Sequence, residues 1–202
     1  MKKDVVAETI REYEEKAEEY SKTRLTIMPN VKELADFFIK QLKGKRILDV
    51  GCGNGRDTLY FTEKGLKVTG IDTVPAFIKI AKSRMPHVEF KLMDMRKLEF
   101  PDNSFDGLWA SASLLHIPKA EAKKTLEGFK RVLKPSGVMF IGVKQGEGER
   151  FVQEDNMERF FAYYSKKELE KLIKEIGFKI LKTVILQSGD AIWIRTVATK
   201  AL

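Results

Sequence analysis

The sequence predicts a doubly wound α/β domain, an open and mostly parallel sheet with helices on both faces. Three observations predict it. A short apolar strand over residues 47–50 leaves through Gly51, Gly53 and Gly55 and runs straight into a helical pattern of Thr58, Leu59, Phe61 and Thr62. Strand-length apolar segments then alternate with helix-length amphipathic ones, which makes βα units and parallel pairing. An acid, Asp72, ends the second strand 17 residues past Gly55, close to the spacing of about 20 at which nucleotide folds hold a ribose. Glycine on alternate positions lets the backbone turn sharply and approach a ligand, because no Cβ intervenes.

Residues 4–22 read as an amphipathic helix, with Val5, Ile10, Tyr13, Ala17 and Tyr20 at helical spacing among glutamates. After a break, Pro29 and Asn30 open a second helix to about Leu42, and Gly44 ends it. The second strand covers 67–71. Pro75 fits the first turn of a helix over 76–84, where its missing N–H has no partner to lose. A third strand covers 88–92, and after the turn at 101–104 a fourth covers 105–110. A helix over about 119–133 is ended by Lys134-Pro135-Ser136-Gly137, before a strand over 138–143. The stretch 145–164 mixes glycine, charge and aromatics and is the candidate lid or specificity loop. Ser165 and Glu168 make a capping box for a helix over 166–176. Gln187-Ser188-Gly189-Asp190 joins two last strands, 178–186 and 191–199, as a hairpin. No repeat or linker divides the chain, so a single domain over 1–202 is expected. Its parts are a helical cap (1–43), a nucleotide core (44–144), the insertion (145–164), and a last helix and hairpin (165–202).

The glycine turn is neither of the two common nucleotide motifs. Arg56 stands where a dinucleotide fingerprint has its third glycine, and the Lys-Ser/Thr of a phosphate-binding P-loop is missing. Asp49-Val50-Gly51-Cys52-Gly53-Asn54-Gly55 instead resembles motif I of the class I S-adenosylmethionine (SAM) dependent methyltransferases. The acid at Asp72, Met93-Asp94-Met95, Phe105-Asp106-Gly107-Leu108-Trp109-Ala110-Ser111 and Leu133-Lys134-Pro135-Ser136-Gly137 resemble that family's later motifs in the same order.

The resemblance implies a Rossmann-like, seven-stranded sheet with one antiparallel strand, SAM as cofactor and S-adenosylhomocysteine (SAH) as product. It implies that Asp49, Gly51, Cys52, Gly53 and Gly55 hold the methionine end, and Asp72 with Thr73 the ribose. Asp94 and the N–H of Met95 would take the adenine, and Ala110 and Ser111 would border the methyl group. The leading helices would fold over the pocket and turn Tyr13, Tyr20 and Arg24 to the substrate, joined by Arg159 and Tyr163 from the insertion. His116 is the candidate general base, with Glu147 and Glu149 behind it. Plainer roles stay open: Tyr13 and Tyr20 as packing, Cys52 as a small residue in a turn, Asp72 as a helix cap, His116 as a structural histidine.

Composition narrows the function classes. Cys52 is the only cysteine, and His87 and His116 are isolated, so no disulfide and no metal site are expected. The net charge of +8 raises the question of nucleic acid, yet the lysines are spread over several helices among glutamates. No apolar run reaches the roughly 18 residues of a membrane span, and Met1-Lys2-Lys3-Asp4 has no apolar signal region behind it. A cytoplasmic protein without a membrane partner is expected, and its wealth of Lys and Glu leans toward a heat-loving source. The chain lacks the Asn/Asp-Pro-Pro-Tyr/Phe loop used on nucleic-acid or glutamine amino groups. The favoured function is therefore methyl transfer to a small molecule. The alternatives are RNA or protein methylation, a nicotinamide-dependent oxidoreductase, and a non-catalytic SAM-binding module.

Overall fold

The computed structural model describes residues 4–201. Lys2 and Lys3, part of the N-terminal reading above, lie outside them. Two helices lead, α1 (Val5–Lys22) and α2 (Pro29–Gln41). The core follows as β1 (Arg46–Val50), α3 (Arg56–Glu63), β2 (Lys67–Asp72), α4 (Pro75–Arg84), β3 (Glu89–Leu92) and β4 (Phe105–Ser111). A 3-10 turn (Leu114–His116) leads to α5 (Lys119–Val132) and β5 (Leu133–Lys144). The chain ends with β6 (Glu149–Glu154), β7 (Met157–Ala162), α6 (Lys166–Glu175), β8 (Phe178–Ser188) and β9 (Ala191–Lys200).

Seven strands form one sheet in the order β3-β2-β1-β4-β5-β9-β8, with β9 antiparallel to both neighbours. This is the expected mostly parallel, doubly wound arrangement. The strand order reverses between β1 and β4, and there the carboxyl ends Val50 and Ser111 open a crevice.

Side-chain alternation along β4 builds the two layers. Leu108 and Ala110 face a core shared with Leu126 and Phe129 of α5 and Leu169 and Ile173 of α6. Trp109 points the other way, stacked on Phe140 at 3.6 Å between ring centroids and edged by Phe38 of α2 and Phe61 of α3. Local signals set the helix starts. Asp4 accepts hydrogen bonds from the N–H groups of Val6 and Ala7, and Pro29 and Pro75 stand in first turns. The capping box of Ser165 and Glu168 is formed.

Two local expectations change. The Leu133–Gly137 turn is absorbed into a long β5: Leu133 pairs with Phe105, and the register then shifts before Gly107 meets Val138. Ser136, at φ 60°, takes up the extra length as a bulge does. The insertion is not an open loop but an antiparallel hairpin, β6–β7. It lies on α1, where Thr9 Oγ1 accepts from the Phe160 N–H and Glu12 from the Glu158 N–H.

Candidate functional site

The glycine turn sits at the crevice with an unusual backbone. Gly51, Gly53 and Gly55 have φ of 69°, 54° and 80°, a region that costs a side chain. A Cβ on Gly51 would lie 2.4 Å from Cβ of Ser113, and one on Gly55 2.5 Å from the end of Met85, whereas one on Gly53 would meet nothing. Gly53 therefore presents bare backbone to open space, while Gly55 is the structural N-cap of α3. Asp72 ties this turn to β2: one carboxylate oxygen accepts from Gly53 N at 2.8 Å, the other from Val74 N at 2.9 Å. Burial pushes the Asp72 carboxyl up and these amides pull it back. Asp49 accepts from Thr58 Oγ1 at 2.6 Å, and burial, with Asp57 nearby, raises its pKa.

From this turn a cavity of about 630 Å³ runs under α1 to the β6–β7 hairpin and the β8–β9 turn, within the usual size of a small-molecule site of roughly 300–1,000 Å³. Asp49, Gly51, Cys52, Gly53, Asp72, Thr73, Asp94, Met95 and Ser111 line it, as do Tyr13, Tyr20, Arg24, His116 and Arg159. The fold thus gathers most of the expected residues around one space. Ala110, Gly55 and Tyr163 are not among its walls: Ala110 points into the α5–α6 core, and the Tyr163 ring lies under the Arg150 guanidinium, 4.0 Å from centroid to Cζ. Glu147 and Glu149 also stand outside. Asp94 lines the cavity but is held by Arg96, whose Nη2 donates to it at 2.7 Å. Cys52 packs with Ile78, Ala81, Met85 and Phe90, and burial raises its thiol pKa, which suits a small filler rather than a nucleophile.

At the roof a chain of polar groups crosses the cavity. Arg159 Nη1 donates to Tyr13 Oη at 2.7 Å, and Tyr13 Oη lies 3.0 Å from His116 Nε2. His116 Nδ1 is 2.7 Å from the Phe160 carbonyl. A carbonyl only accepts, so Nδ1 carries the proton and Nε2 accepts from Tyr13. Burial, with the charges of Arg159 and Lys144 against it, pushes the imidazole down to about 3. Burial also raises Tyr13.

Sequence reasoning passed over several cavity residues. Lys144, Glu154, Asp155, Asp57, Trp193 and Arg195 line it too. Lys144 donates to both oxygens of Glu154 at 2.7 Å, and Arg159 reaches the same carboxylate at 2.9 Å. The one available signal was a cation interrupting an apolar strand, Lys144 after Ile141–Val143 and Arg195 after Trp193-Ile194.

The fold recurs in a crystal structure of Burkholderia thailandensis 1,6-didemethyltoxoflavin-N1-methyltransferase with bound 1,6-didemethyltoxoflavin and SAH. The TM-score is 0.79 at 21% identity, covering 98% of this chain and 89% of that one. Residues 47–137 match the family described as "Methyltransferase domain". These residues are a methyltransferase domain. The chain is 36% identical over 98 residues to a demethylmenaquinone methyltransferase from Renibacterium salmoninarum, 48% of this chain and 40% of that protein. It is 40% identical over 102 residues to an S-adenosyl-L-methionine-dependent Diels-Alderase from Talaromyces variabilis, 46% of this chain and 34% of that protein. The chain spans two-fifths or less of the length of these curated relatives.

The methyltransferase domain's walls fit its cofactor. Gly53 leaves room for a ligand against its backbone, and Ser113 Oγ, beside Gly51, is buried without a hydrogen-bond partner. The Asp72 carboxylate, with two amides bound, keeps lone pairs for hydroxyl donors.

Proposed function

We propose that this chain transfers a methyl group from SAM to a small-molecule acceptor by in-line displacement. The observation that carries the reading is the roofed cavity, which begins at the bare backbone of Gly53 and ends among the side chains of β7 and β9. One ligand at the glycine turn and a second beyond Ser111 would share it under a cover of α1 and the hairpin. That enclosure favours a small acceptor over an RNA or protein chain. Arg56 at the third-glycine position, with its Nε on Asp57 at 2.6 Å, disfavours a nicotinamide dinucleotide.

In this reading Asp72 and Thr73 hold the ribose, Asp94 and Met95 the adenine, and the turn from Gly51 to Gly53 with Asp49 the methionine end. The bound sulfonium supplies an already activated methyl group. The protein's share is to align the acceptor and exclude water. Tyr13, held between Arg159 and His116, presents its oxygen to the acceptor as a fixed hydrogen-bonding group. His116 is a positioning residue here rather than a free base, because its Nε2 lone pair is occupied and its conjugate acid is disfavoured. The β6–β7 hairpin serves as the lid.

The test is thermal unfolding with SAH and with NAD. A ligand at 100 times its Kd adds roughly 2.7 kcal/mol, about 5–10 °C for a chain of this size. A rise with SAH and none with NAD is expected. A rise with NAD alone overturns the reading.

A further inference from the structure

The wall of the cavity beyond Ser111 holds a buried cation that the protein does not neutralise. Among the cations lining the space, Arg24 pairs with Asp155, Arg56 with Asp57, Lys144 with Glu154, and Arg159 with Glu154 and Asp155. Arg195 has no such carboxylate among the described residues. It stands in β9 opposite Gly142 of β5, is 3% exposed, and its Nη1 is buried without a hydrogen-bond partner. The acid whose field reaches it, Asp57, is spent: one oxygen accepts from Arg56 Nε at 2.6 Å, the other from Trp109 Nε1 at 2.9 Å. Burial and the charge of Arg56 both press the Arg195 pKa down. A buried guanidinium with no counter-ion is costly. A ligand that brings the missing charge would remove that cost.

Its surroundings say what kind of ligand. The Trp193 ring centroid is 5.7 Å from the Arg195 guanidinium, and both side chains line the cavity, as does Phe161. Arg195 therefore adjoins the flat apolar wall of Trp193, and a guanidinium matches a carboxylate with two parallel hydrogen bonds.

We propose that Arg195 is the counter-ion for an acidic group of the methyl acceptor, which is a planar, aromatic carboxylic acid seated beside Trp193. This rests on the methyltransferase reading above and adds the acceptor's chemical class to it.

The experiment titrates SAH-saturated protein with benzoate, phenyl phosphate and the neutral isostere benzamide, by calorimetry and thermal shift. It compares wild type with Arg195→Leu and Arg195→Lys. Benzoate is expected to bind roughly tenfold or more tighter than benzamide, the factor set by a charge-assisted hydrogen bond. The preference should vanish in Arg195→Leu and return in part in Arg195→Lys. Arg195→Leu should melt no lower than wild type, since it removes an unpaired buried charge. Stronger binding of phenyl phosphate than benzoate keeps the counter-ion role but overturns the carboxylic acid. Equal binding of benzoate and benzamide, or none of either, overturns the proposal. So does an Arg195→Leu protein that loses SAH affinity but keeps that for 5′-methylthioadenosine, because the anion is then the cofactor's own carboxylate. Failure of wild type to bind SAH falls instead on the methyltransferase reading, which the anion titration does not touch.

Discussion

Replacing Asp72 separates what the acid does for the fold from what it does for the ligand. In Asp72→Ala the N–H groups of Gly53 and Val74 lose acceptors now at 2.8 and 2.9 Å. Each buried amide left unpaired costs roughly 1–3 kcal/mol, so the pair would cost about 2–6 kcal/mol. Burial raises the carboxyl's pKa, so its removal relieves some desolvation, and the lower half of that range is expected. At about 2–4 °C per kcal/mol, the ligand-free protein should melt roughly 4–16 °C lower. Asp72→Asn keeps one carbonyl acceptor and should fall between. The assay is a melting curve of wild type, Asn and Ala proteins, without ligand and with SAH at fixed multiples of each protein's Kd. If Asp72 also holds the ribose, SAH affinity should fall in the order Asp, Asn, Ala by more than the loss in stability explains. A ligand-free Asp72→Ala protein melting within about 1 °C of wild type would refute the structural role. An unchanged SAH Kd in both variants would refute the ribose role.

Two further predictions concern the glycine turn and the roof. Gly53→Val and Gly65→Val each force a branched side chain into positive φ, at 54° and 75°, with nothing within 4 Å of the new Cβ. Both should destabilise, yet only Gly53→Val should abolish SAH binding; equal SAH affinity in the two proteins would count against the turn as the cofactor cradle. His116 has a folded pKa of about 3 against an ordinary 6.5. Between those values the unfolded chain binds a proton that the folded chain refuses, so stability falls as pH drops through that window, by up to about 1.4 kcal/mol per pH unit. His116→Gln should flatten this acid limb in urea melts taken from pH 4 to 7, and an unchanged slope would show that the imidazole is free to protonate.

Much of the nucleotide half was legible because it is local. A strand, three glycines that need positive φ, and an acid at the end of the next strand lie within residues 47–72, and their placement follows from backbone geometry that neighbours do not override. The capping box at Ser165 and the hairpin at 187–190 were legible for the same reason. The misreadings were non-local. Ala110 shares the face of Leu108 and turns into the α5–α6 core, and Tyr163 lies past the end of β7 with its ring held under Arg150. The stretch 145–164 reads as a loop by composition, yet its backbone is satisfied by self-pairing and by α1, which no local pattern records.

The fold class and the turn at the crevice are set by local pattern. Periodicity and glycine placement are properties of neighbouring residues. The far end of the cavity is set instead by packing between distant segments. Tyr13, His116 and Arg159 meet there from three distant segments, and Arg195 stands on a strand opposite Gly142. Whether a cation is paired or bare depends on which carboxylates the packed chain brings within reach. That is why Arg24, Lys144 and Arg159 are neutralised while Arg195 Nη1 is buried without a partner.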